Sequence, residues 1–401
     1  MLLSLPEGFL SNLLIFANLQ ASSFRMTKNA DIAFLITEST YFLSHRRPLA
    51  EGCRREGWRP LLVTNLHEAD RPALAGIDVV PFDMVRMSHH PLRELATLVR
   101  LFFLLRRLRP RLLHAVGLKP VLYGALAGRL LGIRVVCALA GLGYVFTSGR
   151  LRVRLFRRLI VLWMRLLFRR GQVRLILQND DDAEKLVAND IIPPERVVMI
   201  RGSGVDLDAF RPSPEPDGVP VFTVVSRMLA DKGIRELVLA ARLLRWRGVP
   251  CRVRLVGEPD PHNLSSLPPE QLAAWRAEGV VEWDGPAQDI ARVWAESHVC
   301  VLPSYREGMP KALLEAAACG RPIITTDVPG CRAVVEDGIE GLLVPVRDWS
   351  ALADAMERLA RSPALRVQMG RAARARAEVE FGQQPVVART LALYHQVLAA
   401  P

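Results

Sequence analysis

Glu307 and Glu315 stand eight positions apart in residues 302–330, LPSYREGMPKALLEAAACGRPIITTDVPG. Residues 299–303 are apolar and short enough for a buried strand, residues 306–308 form a turn, and Pro310 suits the start of a helix that stops at Gly320. On one continuous helix the two carboxylates would sit roughly 80° apart, at about 3.6 residues per turn. They can act together only as loop plus helix. Glu307 and the bare backbone of Gly308 then face the crevice beyond the strand's carboxyl end, where open parallel sheets bind ligands. Glu315, on the helix, can accept hydrogen bonds from vicinal hydroxyls such as a ribose diol, and an acid near the helix start suits sugar hydroxyls or developing positive charge. The same pair also fits a plainer role, one acid favouring the helix dipole and one solvated glutamate.

Two cations form a second constellation. In VFTVVSRMLADKGIRELVLAARLL, Arg227 ends a strand and Lys232 lies just ahead of a helix beginning near Gly233. Cations converging on a helix N-terminus suit a diphosphate, although a sheet-edge arginine and an exposed lysine would look the same. The alternative way to hold a diphosphate, a metal on Asp-x-Asp, has one candidate, Asp206 and Asp208 in GSGVDLDAF. That segment leads into a linker, where aspartates cap turns, so no metal is expected. Asp180, Asp181 and Asp182 follow Asn179 ahead of a helix and read as capping residues. His89 and His90 fall in a polar loop, and neither is assigned to catalysis.

Pro303, Ser304, Glu307, Gly308, Pro310, Glu315, Ala316, Gly320, Pro322, Thr326, Gly330 and residues 336–338 together resemble the nucleotide-sugar signature of the family 4 retaining glycosyltransferases. The resemblance implies that Glu307 contacts the donor sugar and Glu315 the ribose. It further implies that Arg227 and Lys232 hold the donor's diphosphate, and that Gly308, Met309 and Pro310 line the donor site. Several relatives carry a histidine after the fifth strand of the first domain. The comparable segment here, CALAGLGY, has none, so no general base is assigned there.

The elements that must position these residues follow from apolar patterning. Short apolar runs alternate with helix-length segments from Asp31 onward (DIAFLIT, RPLLVT, VVPFD, RLLHAVG, RVVCALA, RLILQN, RVVMIRG). After residues 210–220, FRPSPEPDGVP, a stiff proline-rich linker, the alternation restarts with VFTVVS, RVRLVG, VVEWDG, CVLPS, RPIITTD and GLLVP. Such alternation means α/β architecture with parallel, doubly covered sheets. The expectation is two Rossmann-like domains facing across a cleft, called GT-B in glycosyltransferases, with residues 26–210 facing acceptor and membrane, 211–383 binding the nucleotide sugar, and 384–401 crossing back to the first domain. Gly257 and residues 284–287 are expected to flank the base. Translation is expected to begin at Met26 rather than Met1. The six cysteines show neither CxxC nor histidine-rich spacing, which fits reduced thiols in a cytosolic protein.

The acceptor side is less specific. The opening unit lacks GxGxxG, against a nicotinamide dehydrogenase. Ser44, His45, Arg46 and Arg47 instead lead toward a helix near Pro48. This FLSHR segment, with VGLKPVLYGALAGRLLGIRVV and AGLGYVFT, resembles the branch that builds bacterial surface polysaccharide repeats on polyprenyl diphosphate. That implies Ser44, His45 and Arg46 as acceptor-binding residues, while His114 reads as structural.

The net charge is +12, and residues 1–210 carry all of the excess. No acid lies between Glu94 and Asp180, an interval with 17 Lys and Arg. Residues 150–170 read as a helix with Arg150, Arg154, Arg157, Arg158, Arg165 and Arg169 on one side and Leu155, Phe156, Leu159, Ile160, Trp163, Leu166 and Leu167 on the other. Arg93, Arg100 and Arg107 recur every seven residues in another helix. Both point to anionic lipid, while nucleic acid is disfavoured by the scarcity of interleaved aromatics. The combined reading is a peripheral enzyme on the cytoplasmic face of the membrane. It would move a sugar from a nucleotide diphosphate donor, UDP-linked, to a polyprenyl diphosphate-linked saccharide. A soluble-acceptor transferase, a nucleotide-sugar epimerase of similar fold and a non-enzymatic polyanion binder remain alternatives.

Overall fold

The computed structural model describes residues 30–85, 91–141, 151–169, 173–261, 263 and 265–400. Met26, His89, His90, Arg150 and most of AGLGYVFT lie outside them.

Seven strands form the first sheet: β1 (Ile32–Glu38), β2 (Pro60–Asn65), β3 (Asp78–Pro81), β4 (Leu112–Val116), β5 (Arg134–Ala138), β6 (Val173–Leu177) and β7 (Val197–Met199). Their order is β3-β2-β1-β4-β5-β6-β7 and every pairing is parallel. The helices between them are α1 (Ser39–His45), α2 (Arg47–Arg55), α3 (Pro91–Leu108), α4 (Leu118–Leu131), α5 (Leu151–Phe168) and α6 (Asp180–Ala188). The second sheet orders β8 (Val221–Val225), β9 (Arg252–Val256), β10 (Glu282–Gly285), β11 (Val299–Leu302), β12 (Ile323–Thr326) and β13 (Gly341–Val344) as β10-β9-β8-β11-β12-β13. Its helices are α7 (Ile234–Trp246), α8 (Pro269–Ala277), α9 (Ile290–Ala295), α10 (Lys311–Ala318), α11 (Pro329–Arg332), α12 (Trp349–Arg361) and α13 (Pro363–Arg376). Strand order reverses between β1 and β4 in one sheet and between β8 and β11 in the other. A crevice therefore opens at the carboxyl ends of those strands, which is where each candidate constellation sits.

Strand interiors such as IAFLI in β1 and VCVL in β11 are buried throughout because helices cover both faces of each sheet. One face of the first sheet packs on α3, α4 and α5. The other packs on α1, α2 and the last helix, α14 (Gln383–Ala399), through Val386, Val387, Leu393, Tyr394 and Val397. α14 thus returns to the first sheet and seats against α2 where Gly52 leaves room for Val387. The Tyr394 hydroxyl meets His114 Nδ1 at 2.7 Å, which makes His114 part of that seam. The proline-rich connection between the sheets is pinned by two buried arginines. Arg321 donates to Ser213 Oγ and the Pro214 carbonyl, and Arg366 grips Glu215 with two bonds of 2.8 Å.

On the leucine side of α5, Leu159 and Leu166 are 60% and 59% exposed, joined by Leu162 at 54%, while Ile160, Met164, Leu167 and Phe168 make the core contact. Helical periodicity separates two faces, but α5 buries only a narrow stripe of its apolar side. Arg165 and Arg169, on the arginine side, hold the C-terminal end of α6. Arg165 donates to the Asn189 and Asp190 carbonyls and Arg169 pairs with Asp190.

Candidate active site

The loop after β11 carries Glu307 into the crevice. Its carboxylate meets Lys232 Nζ at 2.5 Å, and both side chains are largely shielded from solvent. Lys232 is delivered by a short 3-10 turn, Ala230–Lys232, between β8 and α7. Gly233 closes that turn at φ +71°, and a Cβ there would fall 2.1 Å from the Pro303 carbonyl oxygen. Glycine at 233 is thus what lets the lysine turn lie against the loop that carries Glu307. Arg227, at the end of β8, turns to Asp260 at 2.5 Å and is half exposed, so the two cations lie in one crevice on separate carboxylate partners.

α10 starts at Lys311, with Pro310 as its N-cap. Glu315 lies one turn on and is buried. Burial pushes its carboxyl above the usual range, and the Lys311 ammonium, 3.3 Å away, opposes that shift. Gly257, at the end of β9, leaves no room for a side chain, because a Cβ would lie 1.9 Å from the Ser226 carbonyl oxygen. Its own carbonyl accepts from Trp283 Nε1 at 2.9 Å, which ties β9 to β10 beside residues 284–287. Asp206 Oδ1 accepts from the Asp208 and Ala209 amides, which accounts for that aspartate as a turn cap.

The first domain closes over this crevice. A Cβ on Gly308 would lie 1.2 Å from the Ala140 carbonyl oxygen, so the two backbones touch directly at the ends of β5 and β11. The Gly308 carbonyl accepts from Asn179 Nδ2 at 3.1 Å, while Asn179 Oδ1 caps α6 through the Asp182 amide. Arg332, from α11, bridges Asp181 across the cleft and Asp327 on its own side. Sequence reasoning gives Asn179 and Asp181 a capping role alone and does not reach Ala140 or Arg332. The partners of Asn179 and Asp181 lie more than a hundred residues away, and no local pattern marks them.

Ser44, His45 and Arg46 follow β1 in two abutting helices rather than a loop. Ser44 and His45 end α1, and Arg46 caps α2. Ser44 Oγ bonds His45 Nδ1 at 2.6 Å, and the ring stacks on Tyr41 at 4.2 Å. Burial, the Lys311 ammonium and Arg46 together lower the His45 pKa to about 4, so the ring is neutral at pH 7. Lys311 belongs to α10, so the end of α1 faces the second domain's Glu315 helix.

The family model for Glycosyl transferase 4-like domains matches residues 44–202, and that for Glycosyl transferases group 1 matches residues 219–362. This chain is a family 4 glycosyltransferase. It is 26% identical, over 80% of its length and 87% of the relative's, to the N,N'-diacetylbacillosaminyl-diphospho-undecaprenol alpha-1,3-N-acetylgalactosaminyltransferase of Campylobacter jejuni. The transferase is also 25% identical to the UDP-Gal:alpha-D-GlcNAc-diphosphoundecaprenol alpha-1,3-galactosyltransferase of Escherichia coli, over 67% and 71% of the two chains. Its fold matches the sucrose-phosphate synthase of Thermosynechococcus elongatus with a TM-score of 0.75, covering 93% of this chain and all of the other at 20% identity. The transferase therefore has the GT-B architecture.

Proposed function

We propose that the transferase moves a sugar, with retention of anomeric configuration, from a UDP-linked donor to a saccharide carried on polyprenyl diphosphate, in surface polysaccharide or lipopolysaccharide assembly. The observation that carries the donor half is the Glu307–Lys232 pair, shielded in a crevice that the first domain closes. The acceptor half is supported by the two diphospho-undecaprenol relatives.

In this reading Arg227 and Lys232 neutralise the diphosphate as it leaves, Glu315 holds the ribose diol, and Glu307 orients the sugar and favours positive charge at the anomeric carbon. Gly308, Met309 and Pro310 line the donor. The bond from anomeric carbon to phosphate oxygen breaks, the acceptor oxygen forms its bond on the same face, and the departing phosphate oxygen takes the acceptor's proton. Two side-chain cations do the electrostatic work, so activity is expected to survive excess chelator. Transfer of radiolabel from UDP-sugars to a polyprenyl diphosphate-linked monosaccharide tests the reading. Equal transfer to the delipidated saccharide, or release of an epimerised nucleotide sugar, would replace it.

Peripheral attachment to an anionic membrane belongs to the same proposal. Leu159, Leu162 and Leu166 project from α5 beside exposed Arg154 and Arg158, and α3 exposes Leu92, Leu95 and Phe103 beside Arg93 and Arg107. Among the described residues no helix is long and apolar enough to cross a membrane. Basic residues at such a surface contribute about 1 kcal/mol each toward anionic lipid, and apolar side chains add burial.

A further inference from the structure

We propose that Tyr305 is a positioning residue for the transfer: it keeps the loop that carries Glu307 in register with the turn that carries Lys232 once a donor has parted those two charges. This rests on the donor reading above. In the unliganded protein Glu307 and Lys232 restrain each other at 2.5 Å. A donor that takes the lysine with phosphate and the carboxylate with sugar hydroxyls removes that restraint. The two loops, which follow the neighbouring strands β8 and β11, then need a connection that uses none of the donor-facing atoms.

Tyr305 and Arg306 supply it. The Tyr305 amide donates to the Asp231 carbonyl at 2.9 Å, which ties the backbone just before Glu307 to the backbone just before Lys232. Arg306 adds an ion pair with Asp231 at 2.9 Å, but both side chains are more than a third exposed, and such pairs contribute little. The Tyr305 hydroxyl reaches further and donates to Glu236 Oε1 at 2.7 Å, in the first turn of α7. Glu236 Oε2 is buried without a partner among the described residues, so this carboxylate depends on the phenol. Burial and then Glu236 push the Tyr305 pKa up to about 12, which keeps the hydroxyl protonated and donating. The ring is held as well. Arg347, just past β13, covers its face with the guanidinium 4.6 Å from the ring centroid. Arg347 does so from a left-handed backbone, φ +64°, which residues other than glycine seldom adopt. Tyr305 thereby joins the connections after β8, β11 and β13 beside the Glu307–Lys232 pair. The rest of the loop is fixed by other contacts. Thr326 Oγ1 donates to the Ser304 carbonyl, and Gly330 admits the Glu307 carbonyl, whose oxygen would lie 2.6 Å from a Cβ there.

Tyr305→Phe keeps the ring under Arg347 and deletes the hydroxyl. Its kcat for transfer from UDP-sugar to a polyprenyl diphosphate-linked monosaccharide is expected to fall about 20-fold, with the donor KM within about twofold of wild type. Glu236→Ala should reproduce that loss from the other partner. Glu236→Gln, whose amide oxygen still accepts from the phenol, should stay within about threefold of wild type. A double-mutant cycle separates positioning from support of the fold. In a Glu307→Gln background Tyr305→Phe should lower kcat by less than about twofold, because the hydroxyl acts through Glu307. An equal loss in both backgrounds would make the role structural, and a rise in donor KM alone would make Tyr305 a donor contact. Wild-type kcat in Tyr305→Phe and Glu236→Ala would show the loop aligned without this bond, and any of the three results overturns the proposal. If wild type transfers to no diphosphate-linked lipid, or Glu307→Gln is as active as wild type, the functional reading fails by itself. Hydrogen exchange with UDP at saturation then still decides the alignment. The Tyr305 amide should stay protected in wild type and lose protection in Tyr305→Phe, and equal protection in the two proteins overturns the proposal.

Discussion

Lys232 Nζ and Glu307 Oε1 lie 2.5 Å apart, joining the turn after β8 to the loop after β11 across the second sheet's switch point. In the unliganded protein each shielded charge is the other's counter-ion. Under the proposed function, a donor entering the crevice would bring phosphates to the lysine and sugar hydroxyls to the carboxylate, and the two would exchange partners. Glu307→Gln and Lys232→Ala are each expected to lower kcat/KM by about 1,000-fold, roughly 4 kcal/mol of transition-state stabilisation. Circular dichroism should stay at the wild-type spectrum. Near-normal rates in both variants would remove these residues from the mechanism.

Gly308 gives a second expectation, at the contact between domains. A methyl group there would sit 1.2 Å from the Ala140 carbonyl oxygen, and no rotamer relieves a backbone clash of that size. Gly308→Ala should leave each domain folded but hold the cleft open. The radius of gyration from small-angle scattering should increase, and kcat should fall about 100-fold because a misplaced acceptor loses orientation. Asn179→Ala, which removes one bond to the Gly308 carbonyl and the α6 cap, should show a milder form of the same behaviour. Unchanged scattering and unchanged turnover for Gly308→Ala would mean that this contact plays no part in the working state.

These two sites also mark how far the sequence could be read. The crevice residues were legible because buried parallel strands are uninterrupted apolar runs, and because Gly233, Gly308 and Pro310 punctuate the turns between strand and helix. The domain contact was not. Nothing near Asn179 or Asp181 distinguishes a helix cap from a cap that also reaches Gly308 or Arg332, since both begin with the same local hydrogen bond. α5 shows the same limit. Its period separates an arginine side from a leucine side, but where the core ends is set by α4 and β6, so the period does not show which leucines stay exposed.

Two imidazoles shielded from water, His114 buried and His45 partly so, make stability sensitive to mild acid. His45, at about 4, and His114, lower than its ordinary value, stay neutral in the fold, whereas the unfolded chain protonates both below about pH 6.5. The unfolded state then binds more protons, and stability is lost as pH falls from about 6.5 toward 4, by up to about 1.4 kcal/mol per pH unit for each histidine. Urea midpoints measured at pH 7, 6 and 5 should decline. His114→Asn, which can still accept from the Tyr394 hydroxyl, should flatten the decline by one histidine's share. An unaltered slope in that variant would locate the acid sensitivity elsewhere.

Membrane attachment makes the last expectation, and it separates the two parts of the α5 surface. Leu159, Leu162 and Leu166 are exposed, so replacing all three by serine should leave thermal stability close to wild type while largely abolishing sedimentation with vesicles rich in anionic lipid. Arg154→Gln with Arg158→Gln should weaken the same binding mainly at low salt, because exposed charges more than about 8 Å away are screened at physiological ionic strength. Binding of wild type should therefore persist partly at high salt, held by the leucines, and in the serine variant shrink to a weak remnant at low salt. Turnover with a detergent-solubilised acceptor should be unchanged in both, since neither set belongs to the donor or acceptor residues. If the serine variant still sediments as wild type does, α5 is not the attachment surface, and its exposed leucines must be explained by another partner.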